Sequence, residues 1–449
     1  MSKPTASGDA APGITERGAS PGGGAYALEV PPGWNGDLLL YSRGLPMGRD
    51  DAPWQDGDPL IRVLLDEGYA VAGTGGPMFW PLEPTFGNQE ALLDRFARRV
   101  REPERTVAWG LSIGGIMTAG LVQRIPDRLS AALPLCGNLA GAVGIHNREL
   151  DIAFVIKTLL GADSSLQLVL ISDPDANLAT ARALLEQARG TPAGQARLGL
   201  AAAIGNIPGW HDPLTPEPAR HEFGERLRNQ LRWYDEVCFL VYFLLRAQVE
   251  RRAGGNPSWN EGVDYGTLLE RSTNRDEVQA LYEAAGLDLQ ADLGILAAAP
   301  RIAADPAAVG YLERNIVFSG DLAGVPVLTL HTDGDGLVTP DNEHAYADIV
   351  AAAGQQQLLR QLFVHRGGHC TFTVAEVLVA LRAVLERVDA GSWPVLEPAA
   401  LNAAAAVLGE ERNILVRGGE PATPAFAAFV PQGFPRPYDA RDIDDSSRT

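Results

Sequence analysis

The chain has 449 residues, 46% of them hydrophobic and 21% charged, with a formal net charge of −19. Such a length and apolar share fit one large domain with an insertion, or two domains, and argue against a disordered chain. The acidic balance opposes binding to phosphate backbones or anionic lipid, so neither nucleic acid nor a membrane is an expected partner.

Residues 1–24 are rich in Gly, Pro, Ser and Ala and carry no apolar core of a signal peptide; they read as a disordered tail. Ala25–Val30 and Asp37–Ser42 are apolar, strand-length runs with a Pro/Gly turn between them. A helical spacing over 59–67 stops at Gly68, 69–74 is a short strand, and 89–100 is an amphipathic helix. The run 106–110 is again strand-like, 112–124 helical, and 129–136 apolar. Alternating strands and helices predict a mostly parallel sheet covered on both faces. The alternation pauses over 138–322, which is helical in period and holds many of the aromatics, and returns with strands at 325–331 and 358–364 and helices at 341–353 and 374–388. The expected organisation is therefore one α/β core, 25–137 plus 323–390, carrying a helical cap, 138–322, and followed by an irregular extension, 391–449. No run of about 18 apolar residues is present, so no membrane helix is expected and the cytoplasm is the default location.

The strongest chemical signal is Gly110-Leu111-Ser112-Ile113-Gly114 between a strand and a helix. A sharp turn there lifts the Ser112 hydroxyl clear at the carboxyl edge of the sheet, and the following helix offers N–H groups to a developing oxyanion. The alternative is a glycine-rich turn with an incidental serine. A serine hydroxyl needs a base, and the base an orienter, both at later strand ends. Val325–Pro340 breaks from a strand into a loop bearing Asp333 and Asp335; Asp335 is the expected orienter and Asp333 the fallback. Leu358–Thr373 supplies His369 in a Gly-flanked loop, with His365 four residues earlier as the lesser candidate. His331 reads as a buried, hydrogen-bonded histidine. The other histidines, His146, His211, His221, His331 and His344, do not pair at metal-ligand spacing, no CxxC is present, and no metal or organic cofactor is expected. Oxyanion donors are expected from Ile113 N–H and from the loop Arg43-Gly44-Leu45-Pro46, unless that loop is an ordinary Gly-Pro turn. Met78, Phe79 and Trp80, in the loop after the strand at 69–74, are candidate pocket walls.

Gly110–Gly114, Asp335 and His369, in that order and context, resemble the α/β-hydrolase superfamily over 25–137 and 323–390. The resemblance implies an acyl-enzyme mechanism: Ser112 attacks a carbonyl, His369 takes and returns the proton, and Asp335 holds the imidazolium. It maps the second oxyanion donor to Leu45 N–H, with Arg43 standing where the family's His-Gly-x-Pro loop has histidine. Arg43 then either holds the loop or binds an acidic substrate group. His369–Thr373 is also similar to tannase- and feruloyl-esterase-like members, in which a cysteine beside the histidine bridges to one beside the serine. Leu111 occupies the latter place here. Cys136, at the end of the next strand, is then the neighbour open to Cys370, but the favoured expectation is that both are small buried apolar residues.

The expected function is hydrolysis of a carboxylic ester, thioester or lactone of a small to medium-sized apolar substrate. The alternative is acyl transfer or lactone formation by the same triad. A non-catalytic binding module is disfavoured because every member of the triad is present. The oligomeric state is not readable from the sequence.

Overall fold

A computed structural model describes residues 13–45, 51–76, 80 and 82–438. Its sheet begins with β1 (Ile14–Ala19), β2 (Ala25–Val30) and β3 (Asp37–Ser42). There follow α1 (Pro59–Asp66), β4 (Ala70–Thr74), α2 (Leu82–Arg99), β5 (Arg105–Leu111), α3 (Ile113–Arg124) and β6 (Ala131–Leu135). Nine α-helices then intervene before the next strand: α4 (Gly141–Leu160), α5 (Pro174–Arg189), α6 (Pro192–Ile204), α7 (Phe223–Trp233), α8 (Arg246–Ala253), α9 (Tyr265–Arg271), α10 (Arg275–Ala285), α11 (Leu289–Ala298) and α12 (Pro306–Arg314). The chain returns to the sheet with β7 (Val327–Gly334), α13 (Asp341–Ala352), β8 (Leu359–Gly367), α14 (Val374–Ala390), α15 (Pro398–Ala406) and β9 (Phe426–Ala427).

Sheet order is β1-β2-β4-β3-β5-β6-β7-β8-β9. Strands β4, β3, β5, β6, β7 and β8 run parallel, while β1, β2 and β9 join antiparallel at the edges. Successive residues of the central strands face opposite cores: Leu38, Leu40 and Ala108 join one, Leu39, Val107 and Trp109 the other. Both faces are thus covered, which is why these strands read as continuous apolar runs rather than alternations.

Two expectations need correction. Residues 14–19 are not a disordered tail but the edge strand β1, paired with β2 from Ile14↔Val30 to Ala19↔Ala25. Its side chains are held by polar contacts, Tyr26 Oη donating to Glu16 at 2.8 Å and Arg17 pairing with Glu29 and Asp56, so no apolar pattern marks it. The stretch after residue 390 is likewise not wholly irregular. It contributes α15 and a strand whose Phe426 pairs with Val364.

Candidate active site

Ser112 sits between β5 and α3 with φ 61° and ψ −123°, a conformation that favours glycine and is held only because its surroundings fix it. Its N–H donates to Leu135 O at 2.9 Å, tying the turn to β6. Neighbouring positions leave no room for side chains. A Cβ at Gly110 would lie 2.5 Å from Ser42 O, and one at Gly114 would overlap the same oxygen. Gly44, just past β3, packs so closely that its Cβ would stand 2.9 Å from Leu111 O and 3.5 Å from Ser112 Cβ. The loop after β3 therefore abuts the serine.

Asp335 and His369 follow the ends of β7 and β8, one and two parallel strands away from β6, which adjoins β5. Asp335 is fully buried; its Oδ1 accepts the N–H groups of Leu337 and Val338 at 3.0 Å each, and its Oδ2 lies 2.6 Å from His369 Nδ1. The other acid of that loop takes the other histidine: Asp333 Oδ2 is 2.7 Å from His365 Nδ1, and its Oδ1 accepts Arg366 N–H. Burial raises the Asp333 carboxyl above its ordinary value, a shift that His365 opposes. The sequence alternatives thus resolve into two separate acid–imidazole pairs.

Cys136, which follows β6, is bonded to Cys370, with their Cα atoms 5.7 Å apart. The expectation that both are plain apolar residues is corrected. The bond pins the residue after His369 to the strand beside the serine turn, and Cys370 Sγ lies 3.5 Å from His369 Nε2. Although both sulfurs and the imidazole cluster within 4.8 Å, the sulfurs are spent on each other, so the group is no metal cage. The same loop is braced from below by a buried bidentate pair, Arg366 with Glu376 at 2.8 and 3.0 Å, while Glu376 and Thr373 form a capping box on α14.

A small cleft of about 30 Å³ is lined by Ser112, Ile113, Leu45, Asn138, Arg148 and Glu149, with Val241 and Val338 among its apolar walls. Leu45 and Ile113 thus meet at the serine, as the sequence suggests. Arg43 does not line the cleft; with Arg417 it faces the Tyr41 hydroxyl, which burial pushes up to about 12 against their opposing charge. Trp80 is buried against the His146 ring at 4.5 Å rather than in the cleft, and Met78 and Phe79 lie outside the described residues.

Two features escaped sequence reasoning. The segment between β6 and β7 reaches the site: Arg148 and Glu149 come from α4, and Val241 from a π-helical turn, Val241–Leu245. Trp210 and Trp233 rest on the loops after β8 and β7, where a Cβ at Gly367 or Gly336 would strike their indole rings. The glycines were legible, the rings that require them were not.

No family model matches the chain. It is 31% identical over 423 residues to an o-phthalyl amidase of Xanthobacter agilis, covering 87% of this chain and 90% of that protein. Among solved structures, it resembles an esterase from Aspergillus oryzae, with a TM-score of 0.41 and 16% identity over 85% of this chain and 80% of that one. It likewise resembles Candida antarctica lipase A, with a TM-score of 0.39 and 13% identity over 86% and 79% of the two chains. With its likeness to the amidase extending over most of both chains, the chain is a hydrolase that belongs to the family of that o-phthalyl amidase.

Proposed function

We propose that the chain hydrolyses a carboxylic acyl bond through an acyl-enzyme on Ser112, with His369 as the base and Asp335 as its orienter. The 2.6 Å contact between His369 Nδ1 and Asp335 Oδ2 carries this reading, because it turns Nε2 toward the disulfide that adjoins the serine turn. Ser112 Oγ attacks the acyl carbon as its proton passes to Nε2; the imidazolium, held by Asp335, then returns the proton to the leaving group. Water repeats the sequence and releases the acid. Ile113 N–H and Leu45 N–H stabilise the oxyanion.

The sequence alone favours an ester. The amidase relative extends the leaving group to an amine and the acyl group to an aromatic one, so the N-(2-carboxybenzoyl) amides are the preferred substrates of this proposal. The helical segment 138–322 acts as the cap, since its residues roof the cleft and press on the loops that carry Asp335 and His369. The Cys136–Cys370 bond is of a kind that persists in oxidising compartments and weighs against the cytoplasmic default.

A fluorophosphonate probe with peptide mapping tests the nucleophile. Labelling of Ser112 is expected, together with hydrolysis of aryl esters and N-(2-carboxybenzoyl) amides that Ser112→Ala abolishes. A folded protein that neither labels nor turns over these substrates overturns the proposal.

A further inference from the structure

Helix α4 carries the run His146-Asn147-Arg148-Glu149-Leu150-Asp151, and every residue of it is buried. Most of these polar groups find partners. Asn147 accepts Trp259 N–H, Asp151 binds Tyr265 and Arg436, and Glu149 pairs with His146 at 2.8 Å. Arg148 is different. Its Nε donates to Gly205 O at 2.8 Å and its Nη1 to Leu337 O at 3.4 Å, but its Nη2 has no hydrogen-bond partner among the described residues. No carboxylate of the described residues forms an ion pair with it; the oxygens of nearby Asp341 are taken by Thr339 and Asn206. The side chain is only 3% exposed, and a guanidinium cannot shed its proton. Burial disfavours the charge and the neighbouring Tyr242, Asp341 and Glu149 offset that cost, but the buried Nη2 is left without an acceptor in a residue that lines the cleft holding Ser112, a place that a ligand oxygen can fill.

We infer that Arg148 is the specificity residue that binds the free carboxylate of the acyl group in the N-(2-carboxybenzoyl) substrates proposed above. The inference rests on Ser112 as the attacked site and gives that site its specificity. Ser112 and Arg148 share one cleft with Ile145, Val241 and Val338, and at about 30 Å³ it must widen to seat the carbon frame between the scissile carbonyl and the carboxylate. A planar guanidinium suits this role because it offers the carboxylate a directed N–H donor in a water-poor site. Glu149 shares the cleft, but its Oε2 faces His146, and no hydrogen bond joins it to Arg148. Arg43, the cation that the sequence brought forward for an acidic substrate group, is absent from the lining; Arg148 takes that place.

The test is calorimetric titration of Ser112→Ala protein, which cannot turn substrate over, with phthalate and with neutral benzamide. Phthalate is expected to bind, and adding Arg148→Met is expected to weaken it by about 100-fold while benzamide binding holds. Equal loss for both ligands marks a purely structural arginine and overturns the inference, as does phthalate binding indifferent to Arg148. Should Arg148→Met fail to fold, the wild-type protein decides. Phthalate, but not its dimethyl ester, is expected to protect Ser112 from the fluorophosphonate, and equal protection by both overturns the inference. Absence of labelling in wild type counts against the nucleophile alone, since the titration on Ser112→Ala still reads the anion site.

Discussion

His331 Nδ1 lies 2.9 Å from Glu343 Oε1, and this pair stands directly behind Asp335, whose Oδ2 is 3.7 Å from His331 Nε2. The other ring nitrogen, Nε2, lies 2.8 Å from Val338 O. A carboxylate and a carbonyl both accept, so the protonated ring, with a donor on each nitrogen, satisfies both. Burial alone pushes such a group down, but the bond to Glu343 and the charges of Glu343 and Asp335 more than offset it, and the net shift is upward. A raised value in the fold means stability that is full below the unfolded value of about 6.5 and is lost as pH climbs through the folded one. Thermal melts at stepped pH are expected to show this decline above neutrality. Glu343→Gln is expected to flatten it and cost about 1–3 kcal/mol at pH 6; an unchanged profile in Glu343→Gln would show that the ring is not charged in the fold.

The two acids of the loop after β7 have different partners and so different expected effects. Asp335→Asn removes the acceptor that fixes His369 and is expected to lower kcat by about 10⁴-fold. Asp333→Asn disturbs the half-exposed His365 pair and the bond from Arg366 N–H, neither of which reaches His369, and is expected to cost less than tenfold. Steady-state kinetics on an aryl ester decides, and a reversal of the order would reassign the orienter.

The Ser112 turn and the two later loops were legible because their chemistry is local: glycines beside a strained residue, and an acid and an imidazole just past apolar strands. Arg148 was not, because a charged stretch in a long helix ordinarily reads as a solvated face. Its signal lay in the apolar residues surrounding it on every side of α4, such as Ile145, Leu150, Ile152 and Phe154, which leave no face for water. The Cys136–Cys370 bond was legible only as an option, since partners 234 positions apart are joined by the order of β6, β7 and β8 in the sheet. Edge strand β1 escaped because paired charges, not apolar residues, secure it.

Closing so long a loop makes the disulfide a stabilising element through the unfolded chain, by about 2–5 kcal/mol. The Cys136→Ser, Cys370→Ser double variant is expected to lose that much in urea titrations. Because Cys370 touches His369, kcat is expected to fall as well, and dithiothreitol is expected to reproduce both changes in the wild type. Insensitivity of stability to reduction would show that the bond carries no such role.

Arg366 and Glu376 form the other brace of the His369 loop, and both are buried. Arg366 also donates to Thr371 O and Thr423 O, and Glu376 accepts Ala425 N–H, so one pair links β8, α14 and the segment leading into β9. Arg366→Met leaves a buried carboxylate unpaired and is expected to cost about 3–5 kcal/mol. The double variant with Glu376→Met is expected to recover part of the loss, because it removes the orphaned charge. Denaturant melts of the set check this, and additive losses would deny the coupling.

Gly44 ties the loop after β3 to the serine, and a single methyl tests that closeness. A Cβ there meets Leu111 O at 2.9 Å and Ser112 Cβ at 3.5 Å, so the loop must retreat by a few tenths of an ångström and carry Leu45 N–H away from the oxyanion. Loss of one such donor costs about 10²-fold in kcat, and Gly44→Ala is expected to approach that figure with little change in melting temperature. Gly87→Ala serves as the control. Gly87 sits inside α2 with open space around it, so the substitution is expected to leave kcat unchanged and to stabilise by about 0.5–1 kcal/mol. If Gly44→Ala keeps full activity while Gly87→Ala behaves as described, the loop's approach to Ser112 is not what stabilises the oxyanion, and the second donor must come from elsewhere.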